Sequence, residues 1–203
     1  MTRRPALGLA ALGLAALGLA ALGLATFGLA ALGLAACTAA RADDDRSAPG
    51  KSAFRTLYQV LQHPRCMNCH PSGDAPLQYD DSRPHGMAIS RRSELNGVTC
   101  ATCHRDQNGL RPGQPPGAPN WHLPPPETPM TFQGRTPHQL CEQLKDPKQT
   151  GGRDLAKLID HVAHDDLVGW AWAPGPGRQP VPIPRAEVVT AMQAWAAAGA
   201  PCP

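Results

Sequence analysis

Two five-residue runs constrain this chain more than any other feature: Cys66-Met67-Asn68-Cys69-His70 and Cys100-Ala101-Thr102-Cys103-His104. Both read C-x-x-C-H. Two thiols separated by two residues on one tight turn can each add across one vinyl group of the same porphyrin. The His that follows is carried under the ring, where its imidazole binds iron. The pattern predicts two covalent haems on Cys66, Cys69, Cys100 and Cys103, with His70 and His104 as proximal iron ligands. The alternative is one zinc ion held by the four thiolates. Three features weigh against zinc. The gap between the pairs exceeds the usual ribbon spacing, zinc does not require the two histidines, and the N-terminus points to export, where thiols do not stay reduced.

That N-terminus begins with Arg3 and Arg4 and continues, from Ala6 to Ala35, as an A-L-G-L-A repeat interrupted only by Thr26-Phe27. Residues 1–36 are expected to be a signal peptide outside the fold. The run has about twice the apolar length of an ordinary signal core and is long enough to span a bilayer, so an uncleaved anchor is the alternative. At its end, Leu34-Ala35-Ala36-Cys37 resembles the lipobox of bacterial lipoproteins, which implies a diacylglycerol on Cys37 and a membrane tether. Residues 37–51 carry Asp43-Asp44-Asp45, small residues, Pro49 and Gly50. They are expected to form a flexible linker.

Residues 52–203 suit a single domain. Ser52 is the expected cap of a short helix whose apolar positions Phe54, Leu57, Tyr58 and Leu61 fall at i, i+3, i+4 and i+7. The helix should end near His63-Pro64. Residues 71–86 and 105–137 are rich in Pro, Gly, Asp and Asn, with eight prolines between Pro112 and Pro129. They predict extended loop and no sheet. With only three Phe, four Trp and two Tyr in the chain, two porphyrins are expected to make up much of the core. The fold class is therefore mainly α with long Pro/Gly-rich loops, built around two covalent haems. Candidates for the opposite, distal iron position are His85 and His122, with His161 and Met130 as alternatives; His63 and Met87 lie in the same half. A His ligand lowers the reduction potential relative to Met.

In the C-terminal part, Thr136 caps a predicted helix with Pro137 at its first position and Gln139 completing a capping box. A second helix is predicted over 153–164, with Leu155, Leu158, Ile159 and Val162 inward and His161 at the border of that face. His164 is expected at a solvated helix end. Trp170 and Trp172 predict an extended stretch on a haem edge or the core. A last helix over 185–198 should bury Val188, Val189, Met192, Trp195 and Ala196 and end at Gly199. Of seven cysteines, four belong to the motifs and Cys37 to the lipid. Cys141 and Cys202 remain, and in an oxidising compartment they most simply pair; two free thiols are the alternative. The basic count is 19 against 16 acidic. Neither the charge nor any Gly-rich phosphate loop or Ser/His/acid constellation points to nucleic acid, nucleotides or hydrolysis.

The C-x-x-C-H motifs resemble those of c-type cytochromes. The runs His63-Pro64-Arg65-Cys66, Gly117-Ala118-Pro119-Asn120-Trp121-His122-Leu123, Leu144-Lys145-Asp146-Pro147 and Gly199-Ala200-Pro201-Cys202-Pro203 resemble proteobacterial dihaem proteins labelled isoquinoline 1-oxidoreductase subunit. The resemblance runs from about residue 54 to the end. It implies a single cytochrome c-like domain. It further implies a periplasmic electron carrier, not itself an enzyme, that takes electrons from a molybdenum hydroxylase-type dehydrogenase and passes them to a downstream acceptor. Haem attachment after export of an unfolded chain is also implied, which argues against a twin-arginine reading of Arg3-Arg4. A second function class stays open: a small haem enzyme or ligand sensor, peroxidase-like, with one distal face vacant.

Overall fold

The apolar spacing of the first helix decides where the rest of the chain can pack. The computed structural model describes residues 47–203, which hold together as one unit. The repeat, Cys37 and residues 38–46 lie outside the described residues, and with them the signal-peptide, lipid and anchor readings. Helix α1 covers 47–61 and buries Phe54, Leu57 and Val60, with Tyr58 and Leu61 partly covered. Ser52 is therefore inside the helix and does not cap it, and 47–51 is helix where a tether was expected. Gly50 gives the reason. A Cβ there would lie 2.6 Å from Pro201 Cγ and 2.7 Å from Ala198 Cβ, so the glycine permits close packing on the C-terminal segment instead of loosening the chain.

Short helix α2, Pro64–Met67, follows a turn, with His63 as its cap. The segment expected to be pure loop contains one small hairpin, β1 Leu77–Gln78 antiparallel to β2 Arg83–Pro84, with Leu77 opposite Pro84. Its turn places Tyr79 and Ser82 at φ 64 and 52, a conformation that propensity reasoning does not anticipate for these residues. Short 3-10 segments follow at Gly86–Ala88, Arg91–Asn96 and Cys100–Thr102.

Four helices complete the unit. Helix α3, Pro137–Lys145, starts with the expected capping box: Gln139 N–H donates to Thr136 Oγ1, and the Gln139 side chain accepts from the Thr136 N–H. Helix α4, Leu155–His164, starts later than expected because the Asp154 carboxylate accepts from Lys157 N–H and caps it. Asp165 then ends α4 and caps α5, Asp166–Gly169. Trp170–Trp172 forms a 3-10 turn on the end of α5, not the extended stretch that the alternating tryptophans suggested. Helix α6, Arg185–Ala197, buries Val188, Met192 and Trp195. It closes at Gly199, φ 82, where Gly199 N–H donates to Ala196 O and Ala200 N–H to Trp195 O. Those are the two hydrogen bonds of a Schellman end.

The apolar core lies between α1, α3, α4 and α6, with Phe54 tilted against Trp195 at 5.1 Å between ring centres. Cys141 and Cys202 are joined as a disulfide, tying the end of the chain to buried α3. Among the described residues no helix is long and apolar enough to cross a membrane.

Candidate cofactor sites

Each C-x-x-C-H run folds as one helical turn. In the first, Cys69 N–H donates to Cys66 O at 3.2 Å and His70 N–H to Met67 O at 3.0 Å. In the second, Cys103 and His104 N–H both donate to Cys100 O, at 3.1 and 2.9 Å. Residues three apart on a helical turn share a face, so the two thiols of each run lie side by side. The following His swings to the adjoining wall.

Each turn opens on a cavity, and Cys69 of the first motif lines both. The first, about 370 Å³, takes Cys66, Cys69 and His70 on one side and apolar residues of α1, α4 and α6 on the others. The second, about 320 Å³, takes Cys100, Cys103 and His104 and is walled by the hairpin and the proline loop. Both volumes fall in the range of about 300–1,000 Å³ typical of cofactor clefts. Residues 121–124 divide the two by strict alternation. Trp121 and Leu123 face the second cavity, while His122 and Pro124 face the first.

The two histidines are held by the same device. His70 Nδ1 lies 2.8 Å from Met130 O and its ring stacks on Phe132, centres 3.9 Å apart. His104 Nδ1 lies 2.8 Å from Pro116 O and its ring stacks on Trp121 at 4.5 Å. A carbonyl only accepts, so Nδ1 carries the proton and Nε2 keeps a lone pair, the tautomer a metal needs. Phe132 is itself fixed: its N–H donates to His70 O at 2.8 Å, and its carbonyl accepts from Gln62, just after α1. Burial pushes the His70 imidazole down to about 4, against the opposing pull of the Met130 carbonyl. Burial lowers His104 too, with the Pro116 carbonyl opposing it. Both rings are therefore neutral near pH 7. Desolvation drives the Cys66 thiol up to about 12 and the Cys69 thiol up to about 11, so both stay protonated.

The other candidates divide between the cavities. His85 and Met87 line the second. The His85 ring centre is 6.2 Å from that of His104, and His85 Nδ1 is 2.7 Å from Gly86 O, so its Nε2 is also free. His122, His161 and Met130 line the first. His161 Nδ1 pairs with Asp165 at 3.3 Å, and burial lowers its pKa while Asp165 raises it. His122 is exposed and bonds Asn120 O. Met130 gives its carbonyl to His70 from behind the ring. His63 lines neither cavity, and its Nδ1 accepts from Arg65 N–H, which puts the proton on Nε2. His164 is exposed beside Asp160, as expected of a solvated helix end.

Sequence reasoning did not find the supports: the Met130 and Pro116 carbonyls, Phe132, or Asn108. The Asn108 carboxamide oxygen accepts from Trp170 Nε1 at 2.8 Å and from Gly117 N–H at 3.2 Å. No pattern marks a backbone carbonyl as a histidine's partner. Trp121 beside His122 was the one visible signal, although the two residues serve different cavities. The four thiols of the motifs do not gather: among the described residues no three His, Cys, Asp or Glu side chains form a metal-ion cluster.

In comparisons with known proteins, a family model described as a GLTT repeat matches residues 7–35 in six copies, which is the A-L-G-L-A run. No curated protein and no solved structure matches the chain.

Proposed function

We propose that this protein is a dihaem c-type cytochrome that carries electrons and performs no substrate chemistry of its own. The observation that carries the reading is the pairing of His85 with His104 across the second cavity. The two ring centres stand 6.2 Å apart, and both rings have Nδ1 tied to a carbonyl and Nε2 free, so the pair could hold one metal centre between them.

Haem iron, when bound, supplies a one-electron ferric/ferrous couple. The chain's own residues do the rest. Cys66 with Cys69, and Cys100 with Cys103, would anchor the two rings. His70 and His104 would each ligate one iron, and His85 would be the second protein ligand in the second site. In the first site His161 is the better placed distal ligand, because it stands on a regular helix and is oriented by Asp165, whereas His122 is exposed. The largely apolar walls of both cavities would favour electron transfer over ligand chemistry. Within this reading, residues 1–36 export the chain, Cys37 carries the lipid, and the protein stands in the periplasm tethered to the membrane. It takes electrons from a molybdenum hydroxylase-type dehydrogenase and hands them to a downstream acceptor protein. A second reading, a peroxidase-like enzyme or sensor, draws on the first cavity, where His122 is exposed and His161 Nδ1 pairs with the Asp165 carboxylate, not with a carbonyl.

Spectra of protein matured with a haem-attachment system separate the two. Two low-spin haems, unchanged by carbon monoxide, are expected. A high-spin component that binds carbon monoxide would establish an open iron and favour the second reading, and absence of covalent haem would end both readings.

Gly117 offers a sharper check on the second site. A Cβ there would meet Gln107 O at 2.1 Å and Arg105 O at 2.3 Å, both backbone atoms that cannot turn aside. Gly117→Ala is expected to push the Pro116 carbonyl off His104. Covalent haem should fall from two towards one per chain, read by intact mass. Gly73→Ala, with nothing within 4 Å of the added carbon, should keep both.

A further inference from the structure

Arg65 stands in the wall common to both cavities. Its side chain is 2% exposed. One end of the guanidinium pairs with Asp80, and its central carbon lies over the Trp170 ring, 5.5 Å from the centroid. Trp170 lines both cavities as well. The Nε–H of Arg65 is buried and meets no acceptor in the protein.

This is an expensive arrangement. A buried cation is costly even with one partner, and an unsatisfied buried N–H adds to that cost. Asp80 is 43% exposed and offsets only part of the charge. The residue makes physical sense if the cavities receive groups that bring carboxylates. A porphyrin does so, and its carboxylates are acceptors of the right charge.

Resting on the dihaem reading above, we infer that Arg65 is one guanidinium shared by two cofactors: its Nε–H binds a porphyrin carboxylate, and its fixed positive charge acts on both irons. Each reduction adds one electron to one iron, with no bond made or broken, and lowers the positive charge there. A cation held between the two sites favours the reduced form of each. Arg65 therefore raises both potentials together, and Asp80 moderates it.

Spectroelectrochemical titration of the full-length haem-loaded protein tests this, with an electrode and mediators supplying the electrons. In Arg65→Gln both midpoint potentials should shift to lower values, and Arg65→Lys, which keeps the charge without the planar donor, should recover part of both shifts. Arg92→Gln removes an exposed arginine and should move neither. A shift in only one potential, or in none, overturns the shared role. If Arg65→Gln fails to load both haems, Asp80→Asn decides: both potentials should rise as the opposing charge is removed, and any other pattern overturns the inference. Failure of the dihaem reading itself is separate, because the unaltered protein would then carry no covalent haem to titrate.

Discussion

Cys66→Ala with Cys69→Ala is expected to leave one covalent haem per chain and to lower the melting temperature sharply. Cys100→Ala with Cys103→Ala should also leave one haem, yet lower the melting temperature far less. The asymmetry follows from where the cavities lie. Leu57, Val60, Leu158, Val188 and Met192 line the first cavity and belong to the apolar core. An empty first cavity is thus a hole in the core. At about 24 cal/mol per Å³, its full volume sets a ceiling on the order of 9 kcal/mol, which partial collapse reduces. The residues lining the second cavity lie outside the core cluster, so its loss loosens loops around an intact helical body. Intact mass gives the haem count and calorimetry the melting temperature. Equal melting losses in the two variants would refute the asymmetry, and an unchanged haem count in either would refute the attachment sites.

Removing the Cys141–Cys202 bond by Cys141→Ala with Cys202→Ala should destabilise the protein by on the order of 4 kcal/mol on the chain-entropy estimate. The bond closes a loop with a sequence separation of 61. It also holds the segment that packs on Gly50 and accepts from Trp195 Nε1 at Pro201 O, 3.1 Å. Urea denaturation of both proteins, loaded with haem, measures the difference. A loss below about 1 kcal/mol would mean that the packing of Pro201 and Ala200 holds the terminus unaided. Alkylation of the native protein at either cysteine would show that the pair is not joined.

The C-terminal half was the more legible part of the sequence. Thr136, Pro137 and Gln139 announce their helix because a cap is a local contract between side chain and backbone. Gly199 marks an end for the same reason, and counting cysteines was enough to pair Cys141 with Cys202. What escaped was set by tertiary contact. Gly50 reads as a breaker until the chain end packs against it. Trp170 and Trp172 read as an extended stretch until Asp165 caps a turn beneath them. The C-x-x-C-H residues could be named from spacing alone. Which distal candidate faces which proximal histidine could not, because His85 and His104 come together through a hairpin and a proline loop that carry no periodic signal. Arg65 stood out only as part of the run before the first motif: a single basic residue before a cysteine is ordinary, and its position between two cavities is what makes it unusual.

Surface loops usually accept insertions and deletions. The stretch 121–124 should not, although it lies in the most proline-rich and least regular part of the chain. Its residues alternate between two chambers, so a length change of a single residue just ahead of it would exchange their contents. The tryptophan that supports His104 would turn towards the helical core, and the imidazole of 122 would turn towards the hairpin. This ribbon of backbone is therefore under a frame constraint of the kind normally met inside a sheet. Among natural variants of this protein, length variation should gather on either side of it and leave the tetrapeptide itself in register.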